Sequence, residues 1–304
     1  MKHLLKLLDL STEEIIRILD LADQLKYERK HGIPHEHLKG KSIGLIFQKS
    51  STRTRVSFET GIYQLGGQPL FLSSADLQIG RGEPIQDTAR VLSRYLDGIM
   101  IRTYGQDEVE NLAQYGSIPI INGLTDFCHP CQVLADLMTI REKFGHLEGL
   151  KMAYIGDGNN MANSLIVGGL KTGMDVAIAS PVTHQPDAMV LEFAKTYGDH
   201  FQLTTSPVEA VKQADIVVTD TWASMGQEDE KEARAKIFAG YQVNDELLAN
   251  AKEGVMVQHC LPAYRGQEIT EKVFEDHADE IFEEAENRLH AQKAVMVLLM
   301  KEPH

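Results

Sequence analysis

The sequence predicts an α/β protein of two similar domains, each a parallel sheet flanked by helices. Three observations carry this. Short apolar runs alternate with helical patterns along most of the chain, which means βαβ units and a parallel sheet. A Gly-bounded loop, Gly145-His-Leu-Glu-Gly149, interrupts the alternation, with strand–helix units on both sides. The 304 residues also suit two domains of roughly 150.

From Ser11 to about Lys30 the positions Ile15, Ile16, Leu19, Leu21, Ala22 and Leu25 recur at helical spacing. Ser11 with Glu14 three residues on is a capping box that starts this helix. Expected strands follow at 42–47, 69–72, 98–101, 118–121, 152–155, 175–179, 216–219 and 255–257. Helical patterns at 56–65, 87–96, 108–115 and 133–144 follow the first four strands, and those at 162–170, 188–197 and 246–251 play the same part later. The stretch Ala223–Gly240, dense in Glu, Asp and Lys, reads as a polar loop. A last helix at Ile281–Met300 comes late enough to cross back onto the first domain.

Composition excludes several classes. With 30 Lys+Arg against 44 Asp+Glu the formal charge is −14, which disfavours a general nucleic-acid or anionic-membrane binder but leaves room for a local anion site. Three cysteines cannot build a disulfide framework, so the compartment reads as reducing. No run approaches the ~18 apolar residues of a membrane span. Lys6 and Asp9 break the N-terminal apolar stretch, so it does not read as a signal peptide, and the protein is expected to be soluble and cytoplasmic.

Five strand-to-helix junctions carry candidate chemistry. Ser50-Ser51-Thr52-Arg53-Thr54-Arg55 opens a helix, where backbone N–H groups and the dipole favour an anion. Its hydroxyls add donors, and Arg53 and Arg55 can grip a phosphate. Two arginines at a helix start oppose the dipole unless an anion is bound.

Asp126-Phe-Cys128-His129-Pro130-Cys131-Gln132 holds a C-x-x-C like a redox pair, but it lies in mid-chain rather than opening a small redox domain. No second C-x-x-C exists, and His3, His31, His35 and His37 supply no matching metal-ligand pair. His129 either caps the helix or joins Gln132 as a donor to a bound carbonyl or phosphate.

Gly156-Asp-Gly158-Asn159-Asn160 looks like a dinucleotide-binding turn, yet a third Gly is missing and no acidic residue ends the next strand. Asn160 is either a helix cap or a binder of carboxylate or amide groups. Asp220, leaving another strand ahead of Ser224-Met225-Gly226, either meets a cationic group at the sheet edge or caps a loop. Cys260, in His259-Cys-Leu-Pro262, is either a nucleophilic or low-pKa thiol or a buried inert one. Arg288 alone reads as a charge on a helix face.

In this order along one chain, Ser51-Thr-Arg-Thr-Arg55, His129-Pro-Cys-Gln132, Asp220 with Ser224-Met-Gly226, and His259-Cys-Leu-Pro262 resemble the aspartate/ornithine carbamoyltransferase family. The resemblance runs over essentially the whole chain, and the last two motifs look like its ornithine branch. It implies a carbamoyl phosphate domain at 1–145, an amino-acid domain at 146–286, and a C-terminal helix, about 287–304, returning to the first. It implies that Ser51, Thr52, Arg53, Thr54 and Arg55 hold the phosphate, and that Gln78 reaches the phosphate of a neighbouring subunit. Arg102, His129, Gln132, Thr54 and Arg288 surround the carbamoyl group, while Cys260 and Leu261 face the reacting centre. Asn160, Asp220, Ser224 and Met225 hold the α-amino and α-carboxylate groups of ornithine. Catalytic roles fall to Cys260, as a thiolate, with Asp220, Arg102 and His129.

The implied reaction transfers the carbamoyl group of carbamoyl phosphate to L-ornithine, giving citrulline and phosphate within arginine metabolism. The resemblance further implies no metal or organic cofactor, a homotrimer or assembly of trimers, a cis peptide before Pro262, and closure of the 223–240 loop over the amino acid. A sister enzyme acting on putrescine would leave Asn160 and the Ser224-Met225 loop without purpose. A non-catalytic regulatory relative is the reading from another class.

Overall fold

The computed structural model describes residues 1–73, 77, 82–223 and 231–301. Packing divides the chain into two units, Met1–Ala135 with Arg288–His304, and Asp136–Asn287.

In the first unit, α1 (Thr12–Lys30) opens on the expected capping box. The Glu14 N–H donates to Ser11 Oγ at 3.2 Å, and the Ser11 N–H donates to Glu14 Oε2 at 3.0 Å. There follow β1 (Ser42–Phe47), α2 (Thr52–Gln64), β2 (Gln68–Ser73), α3 (Ile85–Leu92), β3 (Gly98–Arg102), α4 (Gln106–Tyr115), β4 (Ile120–Leu124) and α5 (Pro130–Phe144), which belongs to the second unit from Asp136 onward. The sheet order is β2-β1-β3-β4, parallel throughout. Strand β3 is buried along its whole length, as the two-sided cover of a parallel sheet requires. The pairing shifts register between Ile101 and Arg102, so β4 ends at Leu124 rather than at the expected Ile121.

In the second unit come β5 (Lys151–Ile155), α6 (Asn160–Lys171), β6 (Asp175–Ala179), α7 (Ala188–Lys195), β7 (Phe201–Thr204), α8 (Pro207–Val211), β8 (Ile216–Thr219), α9 (Lys231–Ile237), α10 (Asp245–Leu248), β9 (Met256–His259), α11 (Glu271–Asp276) and α12 (Ala278–Met300). Its sheet runs β7-β6-β5-β8-β9, again all parallel. Helix α12 begins in this unit and from Arg288 onward packs in the first, where Ala294, Val295, Met296 and Leu299 are buried. The late helix therefore returns to the first unit. No helix among the described residues is long and apolar enough to cross a membrane.

Periodicity missed β7, a half-exposed four-residue edge strand, and α8, a single turn capped by Ser206. It also misread part of 223–240. Lys231–Ile237 is helical, Phe238 is fully buried, and the buried Arg234 donates to Asp157 and to the Trp222 carbonyl. An ion pair buries this polar segment where apolar side chains would ordinarily do so. The rest of the expected closing loop, residues 224–230, lies outside the described residues.

Candidate active site

In the first unit the β1–α2 junction places Ser51 at the N-cap, its Oγ accepting the Thr54 N–H at 3.2 Å. The first turn of α2 holds no acidic residue, so the dipole's positive end is uncompensated. Thr54 is fully buried, and its hydroxyl accepts a hydrogen bond from Arg288 Nη2 at 2.8 Å. Arg102, at the end of β3, and His129, which leads into α5, are also buried. Burial, with the Arg288 and Arg102 guanidiniums beside it, holds the His129 pKa well below the ordinary histidine range. The ring is therefore neutral and offers one N–H.

Gln132 is buried in the first turn of α5. Thr52 and Arg53 are exposed on the first turn of α2. Arg55 turns away, with its Nε on Glu59 at 2.9 Å and its guanidinium 3.6 Å from the Phe71 ring centre. Two buried guanidiniums, a neutral imidazole and an uncompensated helix N-terminus together make a receptor for an oxyanion bearing a carbonyl.

The surroundings of the C-x-x-C pair do not suit a redox thiolate. Both thiols are buried and unpaired in any disulfide. Burial pushes Cys128 and Cys131 up to about 12, the reverse of a redox-active thiolate. Cys128 Sγ bonds the Leu5 carbonyl, and Cys131 Sγ the Asn122 carbonyl.

In the second unit, β8 delivers Asp220 and β9 delivers Cys260. The Cys260 Sγ–H donates to Asp220 Oδ1 at 3.1 Å, and the Thr221 N–H donates to the same oxygen at 2.7 Å. Burial and the adjacent Asp220 charge raise the Cys260 pKa well above the usual thiol range. The expected thiolate is thus corrected: Cys260 is a neutral thiol donor, because Asp220 holds the negative charge of the pair. Leu261 is partly buried, with φ +57, and the Leu261–Pro262 peptide is cis, as expected. The fully buried His259 fixes this turn, its Nδ1 accepting the Leu261 N–H at 2.9 Å. That leaves Nε2–H to donate to the buried Glu268 at 2.9 Å.

Asn160 is the first residue of α6, and the residue before it is the cap. Asn159 Oδ1 accepts the N–H groups of Met161 and Ala162 at 2.9 and 3.2 Å. The preceding Gly158 is obligatory, since a Cβ there would fall 2.2 Å from the Gln185 carbonyl carbon. Gln78, Ser224 and Met225 lie outside the described residues.

The family model "Aspartate/ornithine carbamoyltransferase, carbamoyl-P binding domain" matches residues 2–142, and its companion "Asp/Orn binding domain" matches residues 148–299. The chain belongs to the aspartate/ornithine carbamoyltransferase family. It is 55% identical over 303 residues to an ornithine carbamoyltransferase of Carboxydothermus hydrogenoformans, spanning 98% of this chain and 97% of that one. It is 56% identical over 303 residues to one from Oceanobacillus iheyensis, spanning 98% and 94%. The solved ornithine carbamoyltransferase of Pyrococcus furiosus superposes with a TM-score of 0.95 at 51% identity, covering 100% of this chain and 98% of that one.

Against this carbamoyltransferase frame, sequence reading passed over Asn159, Tyr154 and Arg234. Asn159 stood in the quoted turn string, immediately before a helix start, which was signal enough for a cap. Nothing local marked Arg234, whose partner Asp157 lies 77 positions away.

Proposed function

We propose that the chain transfers the carbamoyl group of carbamoyl phosphate to the side-chain amine of L-ornithine, giving L-citrulline and phosphate. The observation that carries this is the division of charge. The first unit buries two guanidiniums around a neutral histidine, and the second presents the Asp220 carboxylate to its thiol partner. An oxyanion suits the former and an amine the latter.

Residues 1–145 with 287–304 bind carbamoyl phosphate. Ser51, Thr52, Arg53 and Thr54 hold the phosphate, Arg55 adds its field, and Gln78 serves the phosphate of a neighbouring subunit. Arg102, His129, Gln132, Leu261 and Arg288 surround the carbamoyl group. Residues 146–286 bind ornithine through Asn160, Asp220, Ser224 and Met225. The amine, with a pKa near ~10 by analogy with lysine, must give a proton to solvent before attack. Asp220 accepts one of its N–H groups and aims the nitrogen lone pair. Attack on the carbamoyl carbon forms a C–N bond and a tetrahedral intermediate whose oxygen Thr54, Arg102, His129 and Arg288 stabilise. The C–O bond to phosphate then breaks, and phosphate leaves with a proton from the new nitrogen.

The protein acts in the cytoplasm as a homotrimer or an assembly of trimers. Support for association comes from exposed apolar side chains along α2, β2 and the α3 region: Val56, Tyr63, Leu70, Phe71 and Tyr95. Light scattering after size exclusion is expected to give the mass of three chains or a multiple, and a monomer would refute it.

The decisive assay supplies carbamoyl phosphate with ornithine, putrescine or aspartate in turn. Selective citrulline formation is expected. A putrescine preference would overturn the amino-acid contacts, and no product despite carbamoyl phosphate binding would indicate the regulatory relative.

A further inference from the structure

Asp220 has a second carboxylate oxygen that the scheme above leaves unexplained. Oδ1 takes the Cys260 thiol and the Thr221 N–H, while Oδ2 accepts Asn159 Nδ2–H at 2.8 Å. The other end of that amide is occupied as well. Asn159 Oδ1 accepts from Met161 N–H, from Ala162 N–H and from the Tyr154 hydroxyl at 3.3 Å.

All three groups on Oδ1 are donors in this arrangement, so the amide can face only one way. A flipped amide would set its oxygen against the Asp220 carboxylate and its NH₂ against two backbone N–H groups. Tyr154 is fully buried, and burial beside Asp220 and Asp157 raises its pKa well above the ordinary phenol range, so it remains a donor.

We propose that Asn159 is a positioning residue of the transfer reaction: its amide holds the Asp220 carboxylate turned toward Cys260 and the ornithine amine, and Tyr154 with the first turn of α6 locks the amide's direction. This inference rests on the transferase reading and adds to it a residue that touches neither substrate.

The electrostatic surroundings show why such a donor matters. Cys260 feels the charges of Asp220, Glu284 and Asp136, and Tyr154 feels those of Asp220, Asp157, Cys260 and Glu268. Asp220 thus stands among Asp136, Asp157, Glu268 and Glu284 with Cys260 and Tyr154. Asp157 is paired with Arg234, Glu268 bonds the His259 ring, and Glu284 accepts the His259 N–H at 3.0 Å. Within this acidic neighbourhood a fixed N–H donor on Oδ2 holds the Asp220 carboxylate in one orientation.

Three variants test this. Asn159→Ser keeps a capping oxygen for α6 but has no amide to give Asp220. Asn159→Asp keeps the cap and sets a second carboxylate against the first. Tyr154→Phe leaves Asn159 in place and frees its orientation. For Asn159→Ser, kcat/KM for ornithine is expected to fall about 10- to 100-fold, the range for losing a hydrogen bond to a charged group. KM for carbamoyl phosphate should stay within about twofold.

Asn159→Asp should lower kcat/KM for ornithine further than Asn159→Ser, again with the carbamoyl phosphate KM held within about twofold. Tyr154→Phe should lower kcat/KM for ornithine by less, with the carbamoyl phosphate KM unmoved, which keeps the inference testable if both Asn159 variants fail to fold. Equal losses for both substrates would reduce Asn159 to a helix cap and overturn the proposal. Wild-type rates in all three variants would also overturn it. A wild-type protein that forms no citrulline brings down the transferase reading itself, and that outcome is visible before any variant is made.

Discussion

Cys260 and Asp220 share one negative charge, and the direction of sharing decides what each can do. The thiol donates and the carboxylate accepts at 3.1 Å, so an arriving amine meets a carboxylate rather than a thiolate. Replacing Cys260 with Ala should therefore lower kcat about tenfold or more while leaving the carbamoyl phosphate KM within about twofold. Cys260→Ser, which retains an O–H donor for Asp220, should recover part of that loss. Steady-state kinetics with each substrate varied separately checks both statements, and unchanged turnover in the Ala variant would remove Cys260 from the chemistry. In the first unit, burial with Arg288 and Arg102 beside it keeps His129 neutral, so in the proposed reaction it would offer the carbamoyl oxygen a hydrogen bond without needing to bind a proton.

At the scale of elements, most of the proposed binding groups sit where a parallel strand hands over to a helix. Strand β1 feeds the Ser51 cap of α2, and β5 feeds the Asn159 cap of α6. The second junction is held by backbone contact. The Gly158 N–H donates to the His184 carbonyl at 2.8 Å, and a Cβ at 158 would overlap the backbone at Gln185 and Pro186. Gly158→Ala should destabilise the protein by about 1–3 kcal/mol, the usual scale for overpacking. It should also raise the ornithine KM, because the Asn159-Asn160 pair moves with the turn. Denaturant melts and a KM comparison read the two effects. Arg234 braces the same turn from α9 through Asp157, which is why a segment too polar for a core is nonetheless ordered there.

Across the whole molecule, α12 is the element that leaves one unit and completes the other. Lys293, on its returning half, is fully buried, and its Nζ lies 2.9 Å from His35 Nε2 and 3.0 Å from Gln64 Oε1. Burial, with Arg29 nearby, lowers its pKa to about 8. An unfolded lysine titrates near ~10.4, so between about pH 8 and 10 the unfolded chain binds more protons than the folded one. Stability should rise with pH across that window by roughly 1–3 kcal/mol from this group. In Lys293→Met the rise should flatten, as chemical denaturation at several pH values would show. A variant that keeps the full slope would assign it to other groups.

Much of this was legible in the sequence, because alternation, caps and strand-to-helix junctions are local properties. The Ser11 capping box, the run from Ser42 to Phe47 and the anion-suited turn at Ser51 needed only neighbouring residues to be recognised. Weakly patterned pieces such as β7 and α8 were not legible, since a half-exposed edge strand and a single helical turn carry little hydrophobic period. The sequence alone determined two parallel α/β units, the late helix and the strand-to-helix junctions that carry the proposed site. Only the tertiary structure decided which charges meet. Arg288 reaches Thr54 across 234 positions, Asn159 reaches Asp220 across 61, and Cys260 proves a donor to Asp220 rather than a thiolate. The physical reason is that periodicity records which face of an element is buried, whereas charge state and hydrogen-bond direction depend on what packs against that face from elsewhere in the chain.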